Sequence, residues 1–232
     1  MLTKNLLGAG ILTLASIGAA AAGENRGDAL ASIIWGPYAK MIILPHTRVQ
    51  AVNTTRREPS GLITIFNSLA GKYPKGVYWC CEGYNVMGAN SGAGVQWMGG
   101  AFTPAADHTL TRVEVAVGYS GQGQNGVVIS VNDDNGGVPG KSLKKWSVSG
   151  LPVFGTCCTI VVKTDNTGIA LTGGKQYWIV LSTNSGETNT VDGWNVSDAD
   201  QIDQANLASW DGSTWHTFQT APGLAFAVKG TN

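Results

Sequence analysis

Charged residues are scarce in this chain. Soluble domains usually have about 25% charged residues, whereas here lysine plus arginine number 15, aspartate plus glutamate number 15, and all four together make up 13% of the 232 residues. The formal net charge is zero. A nucleic-acid-binding protein normally has a basic surface that neutralises phosphates, so this composition argues against a nucleic-acid partner.

Local catalytic motifs are also missing. The sequence has no G-x-S-x-G elbow, no P-loop and no H-E-x-x-H zinc motif, and it has only three histidines. Residues 121–126 match G-x-G-x-x-G, but the dinucleotide-binding form of that motif leads into a helix. Here the apolar run from Val127 to Ile129 predicts a strand instead. We therefore interpret the segment as a hairpin loop and predict neither nucleotide binding nor catalysis.

The first 22 residues have the pattern of a secretory signal peptide. Lys4 precedes an apolar stretch that begins at Leu6, and the alanines at 20–22 match an A-x-A cleavage site. The alternative is an uncleaved membrane anchor, although the stretch is borderline for a span, which needs about 20 mostly apolar residues. We expect a secreted protein, extracellular or periplasmic, with no stable membrane insertion after cleavage.

The remaining chain divides at about residue 62. Residues 23–61 show no sustained periodicity, and we predict a partly disordered N-terminal extension there. From residue 62 apolar and polar residues alternate in short segments, as in the stretch from Leu110 to Tyr119. Turn signals recur about every 8–12 residues, as in β-sandwiches. With 43% hydrophobic residues, 32 glycines and eight tryptophans, residues 62–232 are predicted to form a single all-β domain, an antiparallel β-sandwich or jelly roll.

Three sequence blocks together resemble a known family. They are Gln96-Trp97 with Ala101–Pro104 and Thr109–Val113, then residues 127–143 around the NGGVPG turn, then Ile169–Thr172 leading into Tyr177–Ser182. In order and spacing these blocks resemble the secreted bacterial choice-of-anchor domains, most closely the R type. The resemblance implies an exported surface or extracellular β-sandwich with no established catalysis.

The four cysteines form two adjacent pairs, Cys80-Cys81 and Cys157-Cys158. Zinc sites usually separate paired ligands by two or more residues, so adjacent cysteines are poor zinc ligands. In an exported protein disulfides are the better interpretation. Bridges between the two pairs, a vicinal ring within each pair, and free thiols are the three alternatives.

A cluster of oxygen-bearing side chains marks the predicted hairpin near residue 134. Asp133 and Asp134 lie between Asn132 and Asn135, and such oxygens would suit calcium. The other interpretation is a polar turn, because Asn-Gly favours the positive φ that a type I′ turn needs. We predict the turn and no cofactor, with calcium as the alternative.

Tryptophans in polar surroundings are the candidate binding residues. Trp178 and Trp146 lie in apolar or alternating strands and are predicted core residues. A sugar site combines an aromatic face with a few polar groups. The hypothesis is a weak glycan-binding surface made of Trp194, Trp210, Trp215, Asp192 and Asn195. The alternative is that these tryptophans cap the open ends of the core.

Three classes of function follow from these patterns. The first is a non-catalytic exported β-sandwich with a structural or adhesive role at the cell surface or in the matrix. The alternative is a carbohydrate-binding module that uses exposed tryptophans, with glycans as its partners. A secreted enzyme that acts on polysaccharide is the second alternative, although no catalytic constellation is visible.

Overall fold

A computed structural model describes residues 60–69, 78, 82–156, 159–184, 189–197, 207–218 and 223–232, together with the backbone of residues 32–33 and 42–43. Within these ranges every regular element is a β-strand. The predicted signal peptide, most of the predicted extension and all four cysteines lie outside the described residues.

The described strands are named in chain order. They are β1 (Ser32–Ile33), β2 (Ile42–Ile43), β3 (Ile63–Asn67), β4 (Gly83–Met87), β5 (Trp97–Phe102), β6 (His108–Val115), β7 (Val117–Gln122), β8 (Gly126–Asp134), β9 (Pro139–Ser149), β10 (Val161–Leu171), β11 (Tyr177–Ser182), β12 (Val191–Asn195), β13 (Leu207–Trp210), β14 (Trp215–Phe218) and β15 (Phe226–Thr231).

Apart from the short pair β1–β2, these strands form three antiparallel sheets. The six-stranded sheet has the order β14-β13-β5-β11-β8-β9, the four-stranded sheet β10-β6-β15-β3, and the three-stranded sheet β4-β12-β7. One apolar cluster draws on all three, with Ile179 of the first, Val113 of the second and Tyr84 of the third. The prediction of an all-β antiparallel sandwich is confirmed.

The alternating stretch from Leu110 to Tyr119 is divided between two sheets. Its valines face the core, as the alternation predicts, but the chain passes from β6 to β7 at Ala116. The amide of Ala116 donates to the carbonyl of Ala225 (3.1 Å), while its own carbonyl accepts from the amide of Asn195 (2.8 Å). One predicted strand therefore joins the four-stranded sheet to the three-stranded sheet.

Residues 121–126 span the end of β7, a connection at 123–125 and the start of β8, and the two strands belong to different sheets. The segment links two strands, but the prediction of a hairpin loop is wrong, because the strands are not neighbours. Gly123 has φ 68°, and a Cβ there would overlap the carbonyl of Asn189. The glycine thus permits a close backbone approach, for which phosphate binding is not needed.

The loop after β9 covers the outer face of the three-stranded sheet. Phe154, which is 4% exposed, lies against Gly83, Gly118 and Gly193, one glycine from each strand. A Cβ on any of the three would overlap Phe154. The backbone of Tyr119 pairs with the loop on both sides, accepting from the amide of Phe154 (2.8 Å) and donating to the carbonyl of residue 152 (2.7 Å).

Candidate functional site

The structure separates the five residues of the predicted glycan surface. Trp194, Asp192 and Asn195 lie on β12, the middle strand of its sheet, and are 0%, 0% and 4% exposed. The indole Nε1 of Trp194 donates to the carbonyl of Ala225 (3.0 Å), and its ring meets Phe226 edge-on at 5.8 Å. These three residues therefore do not belong to an exposed surface.

The polar neighbours of Trp194 have partners inside the protein. Asp192 accepts a hydrogen bond from the amide of Gly126 (3.2 Å), and the amide group of Asn195 donates to the carbonyl of Glu82 (3.4 Å). Both partners are distant in sequence. Polarity at these positions thus reflects long-range hydrogen bonding in the interior, since buried polar groups are normally paired.

Trp210 and Trp215 do come together, and Trp97 joins them. Trp210 is the cross-strand partner of Trp215 and also of Trp97. The ring centroids of Trp97 and Trp210 are 5.8 Å apart with an interplanar angle of 17°. Those of Trp210 and Trp215 are 5.6 Å apart at 53°. We call Trp97, Trp210 and Trp215, which lie on three adjacent strands, the tryptophan row.

Strand alternation places the tryptophan row on the outer face of the six-stranded sheet. On β5, Met98 and Phe102 belong to the core, so Trp97 points away from it. Each indole of the row is half-buried and so keeps an exposed part. The indole Nε1 of Trp97 donates to the hydroxyl of Thr183 (3.3 Å), which ties the row to the end of β11.

The turn between β13 and β14 is fixed by Asp211. Its Oδ1 accepts from the backbone amides of Ser213 and Thr214, both at 2.8 Å, and Oδ2 lies 2.8 Å from Nε2 of His216. Gly212 has φ 102°, which the turn requires. The hydrogen bond with His216, followed by those from the two amides, lowers the pKa of Asp211 below its ordinary value of 3.8. The turn thus holds Trp210 and Trp215 in register.

The group around Asp211 is not arranged as a catalytic triad. In a triad the imidazole lies between the serine hydroxyl and the carboxylate, so that it can take the hydroxyl proton. Here the hydroxyl of Ser213 donates to Asp211 (2.9 Å), and His216 contacts the other carboxylate oxygen. The carboxylate lies in the middle, so this imidazole is not placed as a base for Ser213.

A second part of the same outer face is covered by the β8–β9 hairpin. Trp178, predicted to be a core residue, is fully buried, but it packs in a small outer cluster with Val180 and Ala208. A Cβ on Gly99 would lie 3.0 Å from Cγ of Pro139, so the start of β9 reaches across to β5. Trp146, the other predicted core tryptophan, is half-buried against the main core.

Asp134 has a structural role in this covered part. Its Oδ1 accepts from the indole Nε1 of Trp178 and from Nε2 of Gln176, both at 2.8 Å, and Oδ2 accepts from the amide of Gly137 (3.1 Å). Burial alone would raise the pKa of Asp134, but these hydrogen bonds outweigh it and hold the pKa below 3.8. Both oxygens thus serve protein donors.

The cluster around Asp134 forms the predicted turn. Gly136 and Gly137 both have positive φ, at 67° and 90°, and the amide of Asn135 donates to the carbonyl of Val138 (2.9 Å). Positive φ at both central positions is the type I′ requirement. The central pair is Gly-Gly, whereas the sequence suggested Asn-Gly.

The described residues contain no group of three or more ligand-type side chains (His, Cys, Asp or Glu) placed to hold a metal ion. Nor do they include a helix with the length and apolar character needed to cross a membrane.

No protein-family model matches the chain, and no curated protein matches it. The described side chains are therefore the basis for a functional proposal.

Proposed function

We propose that this chain is an exported, non-catalytic β-sandwich protein that binds polysaccharide through the tryptophan row. The observation that carries the proposal is the contact of three half-buried indoles from three adjacent strands on one outer sheet face. The biological role would be structural or adhesive, with cell-surface or matrix glycans as partners. Export rests on the signal-peptide pattern of residues 1–22.

The physical basis is the match between indole rings and sugar rings. The C–H face of a pyranose is apolar and packs on an aromatic face, while nearby polar groups hydrogen-bond the hydroxyls. Asp211, Ser213 and Thr214 lie in the turn directly beside Trp210 and Trp215. Because ring contacts and the Asp211 turn already fix the indoles, little side-chain entropy is lost on binding.

Substitution of the central tryptophan tests the proposal. Retention of the protein on a panel of insoluble polysaccharides is compared for the wild type and Trp210→Ala, with thermal unfolding as a check of the fold. We expect affinity to fall by about tenfold or more, which corresponds to about 1.4 kcal/mol. Trp146→Ala is the matched control, since Trp146 is also half-buried but lies on the opposite edge strand, β9.

The possible results separate the classes of function. Equal retention of wild type and a folded Trp210→Ala would contradict the proposal, as would an equal loss in both variants. Absence of wild-type retention on every polysaccharide would also contradict it. Release of reducing ends from the polysaccharide by the wild type would favour the enzyme alternative.

A further inference from the structure

We infer that the ligand is a neutral, linear glycan that lies across the strands, along the tryptophan row and on toward β9. The inference rests on the proposed function and narrows its substrate class. It rests on the positions of Trp215, Trp210 and Trp97, which follow one another on β14, β13 and β5 as direct cross-strand neighbours. Uncharged residues on the next strands continue the same line.

The geometry of the row favours a chain over a single sugar. Neighbouring strands are about 4.8 Å apart, which is close to the length of one sugar unit in an extended glycan. The ring centroids are somewhat farther apart than the strands, at 5.6 and 5.8 Å. Three successive units of a linear glycan can therefore each meet an indole, whereas one terminal sugar would meet a single ring.

The line continues beyond Trp97 over small and hydroxyl-bearing residues. On β11, Trp178 and Val180 face outward, so Ser182 also faces outward. Ser182 is paired with Val128 of β8, and Val128 is paired with Ser147 of β9. Ser147 is exposed and the other two are half-buried. Hydroxyls at two of these three positions can hydrogen-bond a glycan that extends past the indoles.

The charges around the row favour a neutral ligand. An anionic glycan would need lysine or arginine to pair with its carboxylates or sulfates. Strands β5, β8, β11, β13 and β14 contain neither residue type. The ionisable groups of the described turn at the row are Asp211 and His216, whose Oδ2 and Nε2 lie 2.8 Å apart. Asp211 is an exposed carboxylate that would repel an anion.

Lysines occur on this sheet only at its far edge. All three described lysines within its strands, Lys141, Lys144 and Lys145, lie on β9. The amino group of Lys144 is 3.2 Å from a carboxylate oxygen of Asp165. Three strand intervals separate β9 from β5, so these cations lie far from the indoles, and only Lys145, two residues from Ser147 on the exposed face of β9, is near the far end of the line.

Titration calorimetry with oligosaccharides of defined length and charge tests the inference. The probes are neutral β-linked gluco-oligosaccharides from one to six units, and oligouronates of the same lengths at low salt. We expect the affinity for the neutral series to rise by about tenfold or more between the single sugar and the trimer, and to exceed that for each oligouronate. Trp97→Ala and Trp215→Ala should each weaken binding of the hexamer more than binding of the monosaccharide.

Each contrary result has a distinct meaning. A monosaccharide bound as tightly as the trimer would overturn the linear mode, and equal or tighter binding of oligouronates would overturn neutrality. In either case the proposed function would stand, provided that Trp210→Ala still abolished binding. If a folded Trp210→Ala bound every probe like the wild type, the proposed function itself would fail.

Discussion

Two outer faces of the sandwich bear aromatic side chains, and they differ in what covers them. On the three-stranded sheet, Phe154 packs its ring against Gly83 and Gly193 and its backbone against Gly118, and it is 4% exposed. On the six-stranded sheet, the tryptophan row rests on its own strands and stays half-buried. The first face is closed by the chain itself. The second keeps aromatic surface exposed, and large aromatics with exposed rings are typical of binding surfaces.

The means of holding the aromatics differ in the same way. Phe154 is held by backbone pairing on both sides of Tyr119, from a loop flanked by Gly150 and Gly155, each at positive φ. The row is held by mutual ring contact and by the side chain of Asp211 at one turn. Substitutions on the first face should therefore change the free energy of unfolding, and those on the second should mainly change binding.

The largest expected effect is on the closed face. Phe154→Ala leaves a cavity over Gly83 and Gly193, which contact its ring, and should lower the free energy of unfolding by about 3–5 kcal/mol, as truncation of a buried phenylalanine does. Chemical denaturation followed by fluorescence measures it. Val153→Ala is the matched control, because Val153 is next to Phe154 in sequence but is itself 65% exposed. This substitution should change stability by less than about 0.5 kcal/mol.

If Phe154→Ala were as stable as the wild type, the contrast between the two faces would be wrong. The stability of the three-stranded sheet would then not depend on the Phe154 ring that covers it. Polysaccharide retention of a folded Phe154→Ala should equal that of the wild type. A loss of retention in this variant would mean that the two faces do not act separately.

The closed face also shows where sequence reasoning ends. Alternation was sufficient to predict the sandwich and core residues such as Val113 and Val115, because strand periodicity directly records which face is buried. The contact of Phe154 with Gly83, Gly118 and Gly193 joins positions far apart in the chain. No local pattern encodes such a contact.

The candidate site was only partly predictable for a similar reason. Trp194 and Trp210 both have polar neighbours, yet one is fully buried and the other half-buried. Both lie on strands with neighbours on either side, and the difference arises because Trp194 faces the core, whereas Trp210 lies on the outer face of its sheet, which is left open there. Trp97 was missed because its role depends on its register with β13, which sequence alone does not give.

A smaller effect on stability is expected at Asp134. This residue lies in the part of the six-stranded sheet's outer face that the β8–β9 hairpin covers. Asp134→Ala removes the acceptor of the buried Trp178 indole N–H and should cost about 1–3 kcal/mol, the usual penalty for an unsatisfied buried donor. Asp133→Ala, on the same strand, should cost less. Thermal unfolding of both variants, with and without calcium, measures this. Calcium that raised the melting temperature of the wild type but not of Asp134→Ala would show that this turn also binds calcium.

The smallest effect is expected at the turn that carries Trp210 and Trp215. Because the pKa of Asp211 in the folded protein lies below 3.8, the unfolded chain takes up this proton more readily. The carboxylate thus contributes stability above about pH 4, and that contribution is lost as the pH falls through the folded value. Because the Asp211 side chain is exposed, its protonation should change the free energy of unfolding only slightly. A spectroscopic signal from Trp210 and Trp215 is a more sensitive measurement of this protonation.

The far-ultraviolet circular dichroism of coupled tryptophans reports their relative geometry. In the wild type this signal should be unchanged at about pH 4 and weaken only as the pH falls toward the lowered pKa of Asp211 in the folded protein, where protonation breaks its pairing with His216. Asp211→Asn keeps an oxygen acceptor for the turn amides but has no titrating group, so its signal should stay constant over that range. An identical pH profile in the two proteins would show that Asp211 does not hold the indoles, and the row would then be fixed by ring contact and by the hydrogen bond from Trp97 to Thr183.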